Sequence, residues 1–374
     1  MWRKLVAFMR FDGFGPGGKP NPLRCRPTPA ATPLTETAFS PNPGNLRMYS
    51  CVPSGLKAGA PLVVVLRGCG QTAAGYDAGT GWSQIAASAG FAVLAAEQKA
   101  VNNPNTCFDW FNPEDITRDE GEVASIAAMI RQMVKTHALD KKRIFVTGLS
   151  AGGAMTAAML AAYPEMFAGG AIIAGLPFGA AANVRDALDT MRSAPLKTPR
   201  EWGDLVRAAS PHKGPWPKIS IWHGDLDPTV NLNNAQASVA QWADLHGLAL
   251  SDAKQEKLDG ATRLRWSDRL EVYTVAGLGH GTPIDAREVG APAPFILQAG
   301  ISSTTRIAQF WGLLDKAVAK PKPAPIRIVA PPDEPALPQI EAALIPPERI
   351  APAGARMETI ILRALKAAGL IRKR

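Results

Sequence analysis

Arg143-Ile144-Phe145-Val146-Thr147-Gly148-Leu149-Ser150-Ala151-Gly152 decides the architecture of this chain. An apolar, β-branched run passes straight into Gly-x-Ser-x-Gly, and Ala151–Tyr163 follows with the small-residue composition of a closely packed helix. The pattern holds a serine on a sharp turn between strand and helix, with glycines where the backbone packs close. A serine hydroxyl is a weak nucleophile, so the turn carries chemistry only if a base and an orienting acid reach it. Ser150 is the candidate nucleophile; the plain alternative is a turn serine that caps its helix.

Outward from that turn, short continuous apolar runs recur. Pro61–Leu66, Gly90–Ala95, Ile144–Thr147, Ile219–Trp222 and Leu270–Val275 each read as a strand buried on both faces. Helical patterns separate them. In Glu120–His137, Val123, Ile126, Ala127, Ile130 and Val134 fall on one face at steps of three and four. Alternation of this kind predicts an α/β fold: a mostly parallel central sheet with helices on both faces, and reactive residues at the carboxyl ends of the strands.

The base and acid follow from position. Among five histidines, His137 and His246 fall on helical stretches and read as surface residues, and His212 follows Pro211 in a loop. His280 stands in Gly277-Leu278-Gly279-His280-Gly281, just after the last strand, where a loop can swing an imidazole toward Ser150. The acid comes from His223-Gly224-Asp225-Leu226-Asp227. Spacing leaves Asp225 and Asp227 close, and Pro228 favours Asp227 by holding it extended. A carboxylate there accepts the imidazole N–H and fixes its tautomer. The order Ser, Asp, His is that of the α/β-hydrolase fold. Two backbone N–H groups must receive the developing oxyanion, one from Ala151 and one from Arg67-Gly68-Cys69-Gly70-Gln71.

Composition narrows the remaining classes. The chain has 374 residues and a net charge of +9, but its basic residues are dispersed and no nucleic-acid recognition motif accompanies them. No stretch supplies the roughly 20 apolar residues of a membrane span. Cys25, Cys51, Cys69 and Cys107 show no CxxC spacing and no histidine neighbours, so neither a zinc site nor another metal or cofactor is expected. Four domains are read: a Gly- and Pro-rich arm (1–44), the catalytic unit (45–317), a Pro-rich linker (318–354) and an amphipathic helix (355–374) with Met357, Ile360, Ile361 and Leu365 on one face. That helix can dock on the body, anchor on a polymer granule or membrane, or bind a partner. Ala180–Lys218 interrupts the sheet where such folds insert pocket-shaping caps.

The chain resembles the esterase family named for poly(3-hydroxybutyrate) depolymerases, which also includes feruloyl and acetyl-xylan esterases. The matching stretches are Leu66–Gln71, Asn102-Asn103-Pro104 leading to Cys107-Phe108-Asp109-Trp110-Phe111, Gly148–Gly153, Trp222-His223-Gly224 with Asp227 and Val230, and Gly277–Gly281. The resemblance implies a triad of Ser150, Asp227 and His280, Cys69 as the second oxyanion donor, and a Cys69–Cys107 disulfide. It also implies export, although only Leu5–Met9 is apolar before Arg10, too short for a classical signal peptide; a cytoplasmic enzyme is the alternative. Trp110 and Phe108 are expected to wall the acyl group. The expected substrate is a hydroxyalkanoate polyester or its oligomers, with feruloyl or acetyl groups of plant polysaccharide as the alternative. A non-catalytic polymer-binding protein is a further one, because Arg67 stands where the family has histidine. The expectation for Arg67 is a neutral scaffold change, against a reshaped loop or a preference for anionic substrates.

Overall fold

The computed structural model describes residues 33–314. The expected linker (318–354) and amphipathic helix (355–374), and most of the arm, lie outside the described residues.

In chain order the strands are β1 (Thr35–Thr37), β2 (Arg47–Cys51), β3 (Leu62–Leu66), β4 (Ala92–Glu97), β5 (Ile144–Leu149), β6 (Gly169–Ile173), β7 (Lys218–Gly224), β8 (Lys254–Leu258), β9 (Ala261–Trp266), β10 (Leu270–Val275), β11 (Thr282–Ile284) and β12 (Ile296–Gln298). The helices are α1 (Ala73–Thr80), α2 (Trp82–Ala89), α3 (Pro113–Ile116), α4 (Gly121–His137), α5 (Ala151–Ala162), α6 (Val184–Arg192), α7 (Pro199–Ala208), α8 (Asn233–His246) and α9 (Ser303–Phe310).

Ten strands form one sheet in the order β1-β2-β4-β3-β5-β6-β7-β10-β9-β8. The six central strands run parallel, from β4 through β3, β5, β6 and β7 to β10. Antiparallel pairs close both edges. This is the α/β-hydrolase architecture. Side chains alternate across each central strand: Leu62, Val64 and Leu66 pack with α4, α5 and α8 on one face. Val63 and Val65 pack on the other face with Trp82 and Ile85 of α2, Ile307 of α9 and Trp311. Burial on both faces is why these runs are continuously apolar.

Two regions depart from the simple reading. Thr35–Thr37, assigned from sequence to the arm, pairs with β2 as an edge strand. Ala180–Lys218 holds α6 and α7, gathered on α8 around Trp202 with Ala180, Ala194 and Ala237. Gln241 of α8 locks this excursion, donating to the Phe178 and Trp202 carbonyls and accepting from the Phe178 N–H.

Candidate active site

Four loops leave the carboxyl ends of β3, β5, β7 and β10 and carry the reactive groups, as expected where parallel strands end together. Ser150 sits between β5 and α5 at φ 56° and ψ −119°. A positive φ is costly for a side-chain-bearing residue and persists only where the surroundings enforce it. The flanking glycines permit it: a Cβ on Gly152 would lie 2.2 Å from the Leu66 carbonyl oxygen, and one on Gly148 the same distance from that of Gly152. The Ser150 N–H donates to the Ile173 carbonyl at 2.9 Å, tying the turn to β6.

His280 Nε2 lies 2.9 Å from Ser150 Oγ, and His280 Nδ1 lies 2.7 Å from Asp227 Oδ2. The carboxylate can only accept, so Nδ1 carries the proton and Nε2 is left to accept from the serine hydroxyl. Asp227 Oδ1 takes the N–H groups of Thr229 and Val230 at 2.8 and 2.9 Å. Burial works against the Asp227 charge, but the His280 contacts and the Val230 N–H outweigh it and hold the carboxyl below its usual range. Asp225 is engaged elsewhere, its Oδ1 accepting from the Gly277 N–H at 2.7 Å.

Two residues at the site were not singled out from sequence for a role there. His223, 2% exposed, sits beneath the acid with Nε2 2.8 Å from the Val230 carbonyl and 3.4 Å from Asp227 Oδ2. The carbonyl fixes the proton on Nε2, and burial depresses the basicity of the ring so that it stays neutral. Its placement four residues before Asp227 was the available signal. Phe295, half-buried at φ 62°, presents its ring edge-on to His280 at a centroid distance of 6.2 Å. No periodicity marks it, because it stands alone in a Pro- and Ala-rich loop.

Phe108 and Trp110 require a correction. Phe108 is 0% exposed and Trp110 7%, and both belong to the core against α4 and α5. Side chains buried this way have almost no surface to offer an acyl chain. His246 is also half-buried rather than a surface residue; burial, aided by Arg269, pushes it down to about 4.

Ala151 is the first residue of α5, so its N–H has no partner within the helix and points into the turn. On the facing loop the amides either side of Cys69 are committed, Gly68 N–H to Gln71 Oε1 at 2.9 Å and Gly70 N–H to the Asn105 carbonyl at 3.0 Å. Cys69 is joined to Cys107 by a disulfide. Arg67 is 2% exposed and turned beneath the loop, out of reach of a substrate anion.

Among the described residues, Asp109, Asp115 and Glu122 form a group of carboxylates whose oxygens approach within 4.8 Å. Hydrogen bonds hold the group together: Asn103 to Asp109, Asn112 to Asp115, and Gln98 and the Asp109 N–H to Glu122. Burial pushes Glu122 well up and Asp109 up to about 6. No helix among the described residues is long and apolar enough to cross a membrane.

Fold and site together define a serine hydrolase of the α/β-hydrolase class. The family profile described as Esterase PHB depolymerase matches residues 48–266. The chain is 43% identical over 292 residues to poly(3-hydroxyalkanoate) depolymerase C of Paucimonas lemoignei, covering 75% of this chain and 70% of that protein. It is 33% identical to an acetylxylan esterase of Coprinopsis cinerea, over 68% and 70% of the two chains. The structure of the acetyl xylan esterase from Aspergillus awamori superposes with a TM-score of 0.66 at 24% identity, covering 75% of this chain and 99% of that one. The chain belongs to the PHB depolymerase esterase family, and it is an enzyme acting on carboxylic esters.

Proposed function

We propose that Ser150, His280 and Asp227 are the catalytic triad of this esterase and that it cleaves hydroxyalkanoate polyesters or their oligomers. One observation carries the triad: the unbroken line of contacts from Ser150 Oγ through His280 to a buried carboxylate. His280 Nε2 takes the hydroxyl proton as Oγ attacks the ester carbonyl. The N–H groups of Ala151 and Cys69 receive the oxyanion, in a site where preorganised donors stabilise charge strongly. The imidazolium then protonates the departing alcohol. Water enters, gives a proton to the same nitrogen, and its oxygen attacks the acyl carbonyl. The imidazolium returns that proton to Ser150 Oγ as the bond between Oγ and the acyl carbon breaks, so the acid leaves and both Ser150 and neutral His280 are regenerated.

Similarity to a polyester depolymerase over three quarters of the chain supports the substrate class. Phe295 beside His280 suits it, since its half-buried ring can wall a short aliphatic repeat. The relatedness to acetylxylan esterase favours a second reading, acetyl or feruloyl groups on polysaccharide. Product analysis on 3-hydroxybutyrate oligomers beside acetylated xylan and methyl ferulate separates them. Release of hydroxybutyrate units from the oligomers is expected; intact oligomers with free acetate or ferulate would transfer the assignment to the second reading. The Cys69–Cys107 disulfide supports an exported enzyme, because such bonds persist in oxidising compartments. Recovery of the protein from the medium of producing cells is expected, and retention in the cytosol would contradict export.

A further inference from the structure

Arg67 is a buried cation whose donors go chiefly to backbone carbonyls. Its Nη1 donates to the carbonyls of Thr106 at 2.8 Å and Gly68 at 3.1 Å, and its Nη2 to that of Gln98 at 2.8 Å. Nε faces Glu97 Oε2 at 3.9 Å, and that same oxygen accepts the N–H of Ala73 at the start of α1. The guanidinium therefore ties three segments together, the oxyanion loop after β3, the end of β4 and the loop that carries Cys107, and it faces the Glu97 carboxylate that in turn holds the first turn of α1. Only a planar fork with several donors can reach such a set; an ammonium or an imidazole cannot.

The contact with Gly68 matters most. The Gly68 C=O and the Cys69 N–H are opposite ends of one planar peptide unit. Holding the carbonyl fixes the direction of the N–H, and a charged donor on the oxygen polarises the amide toward stronger donation.

We propose that Arg67 is a positioning residue that aims the Cys69 N–H at the oxyanion, a non-covalent cross-link parallel to the Cys69–Cys107 disulfide. The proposal rests on the reading of Cys69 as an oxyanion donor. Two ties join the same loops: the disulfide from Cys69 to Cys107, and the guanidinium from Gly68 to Thr106. Each covers only part of the other's work, so losing one loosens the aim of the loop and losing both loosens it by more than the two single losses combined.

The test compares Arg67→Met, Arg67→Lys and Cys107→Ser, singly and as Arg67→Met with Cys107→Ser, on a short p-nitrophenyl ester. Arg67→Met and Arg67→Lys are expected to lower kcat about ten- to hundredfold with KM changed less than about threefold, the pattern of an interaction realised in the transition state. A trifluoromethyl ketone, which forms an oxyanion on Ser150, is expected to lose affinity in parallel. The double variant is expected to lose more than the product of its single losses. Arg67→Lys keeps the buried charge, so it answers the question if Arg67→Met does not fold. A folded Arg67→Lys with wild-type kcat and ketone affinity would overturn the proposal, as would losses confined to KM. Fluorophosphonate labelling of the wild-type enzyme separates the two levels: an unlabelled Ser150 removes the underlying reading, whereas a labelled Ser150 with indifferent Arg67 variants removes this proposal alone.

Discussion

Asp227 and His280 lie 53 residues apart in the chain, yet Asp227 Oδ2 is 2.7 Å from His280 Nδ1. Asp225, two residues earlier, binds the Gly277 N–H instead. Asp227→Asn is therefore expected to cut kcat by about 10⁴, because an amide can accept from Nδ1 but can also donate to it and trap the wrong tautomer. Asp225→Asn keeps an acceptor oxygen for Gly277 and is expected to stay within a few-fold of wild type. Steady-state kinetics of the two variants decide the assignment, and equal losses would contradict it.

His223 braces the acid from below. His223→Leu removes the donor to the Val230 carbonyl and leaves Asp227 Oδ2 with one fewer polar neighbour. Leaving the buried Val230 carbonyl without its donor costs about 1–3 kcal/mol, so kcat is expected to fall about five- to hundredfold as the acid loses its brace. His223→Gln places an amide nitrogen near the position of Nε2 and is expected to recover most of it. Equal activity of the two variants would show that the donor is immaterial.

Phe295 lies edge-on to His280, whereas Phe108 and Trp110 are buried in the core. Phe295→Ala is expected to raise KM for butyrate and longer acyl esters at least about fivefold while leaving acetate esters little changed, since burying several methylenes is worth about 0.8 kcal/mol each. A uniform loss across acyl lengths would assign Phe295 to shaping the loop rather than to meeting the chain.

Glu271, buried on β10, sets a pH dependence of stability. Burial pushes its carboxyl up to about 7, against the Ser220 hydroxyl and Arg263, from 4.5 in the free side chain. The raised value favours the protonated native state, so this contribution is complete below pH 4.5, is lost as pH rises through 7 and is level above it. The loss amounts to about 3 kcal/mol. Glu271→Gln keeps an acceptor for Ser220 and has no charge to bury. In urea unfolding, its stability relative to wild type is expected to rise by about that amount between pH 4.5 and pH 8. A difference that stays constant with pH would contradict the burial argument.

The central strands were legible because both faces are buried and their residues are continuously apolar. β8 was not: Lys254-Gln255-Glu256-Lys257-Leu258 is an exposed edge strand held by backbone pairing with β9, and its side chains carry no apolar period. β6 begins Gly169-Gly170 because Trp311 and Leu160 press on the sheet there, a tertiary demand that no local pattern encodes. At the candidate site, Ser150 and His280 were marked in the sequence by loops that need glycine, and Asp227 by the proline that follows it. Phe295 and the Arg67 clamp depend on which distant loops meet, and spacing cannot state that.

Mass spectrometry after treatment with a fluorophosphonate tests the triad most directly, since Ser150 Oγ displaces fluoride only when His280 activates it. A single adduct on the Ser150 peptide, formed in step with loss of ester hydrolysis and absent from a folded, inactive Ser150→Ala, is the expected result. Hydrolysis that persists in Ser150→Ala, or an adduct on another residue that tracks the loss of activity, would contradict it.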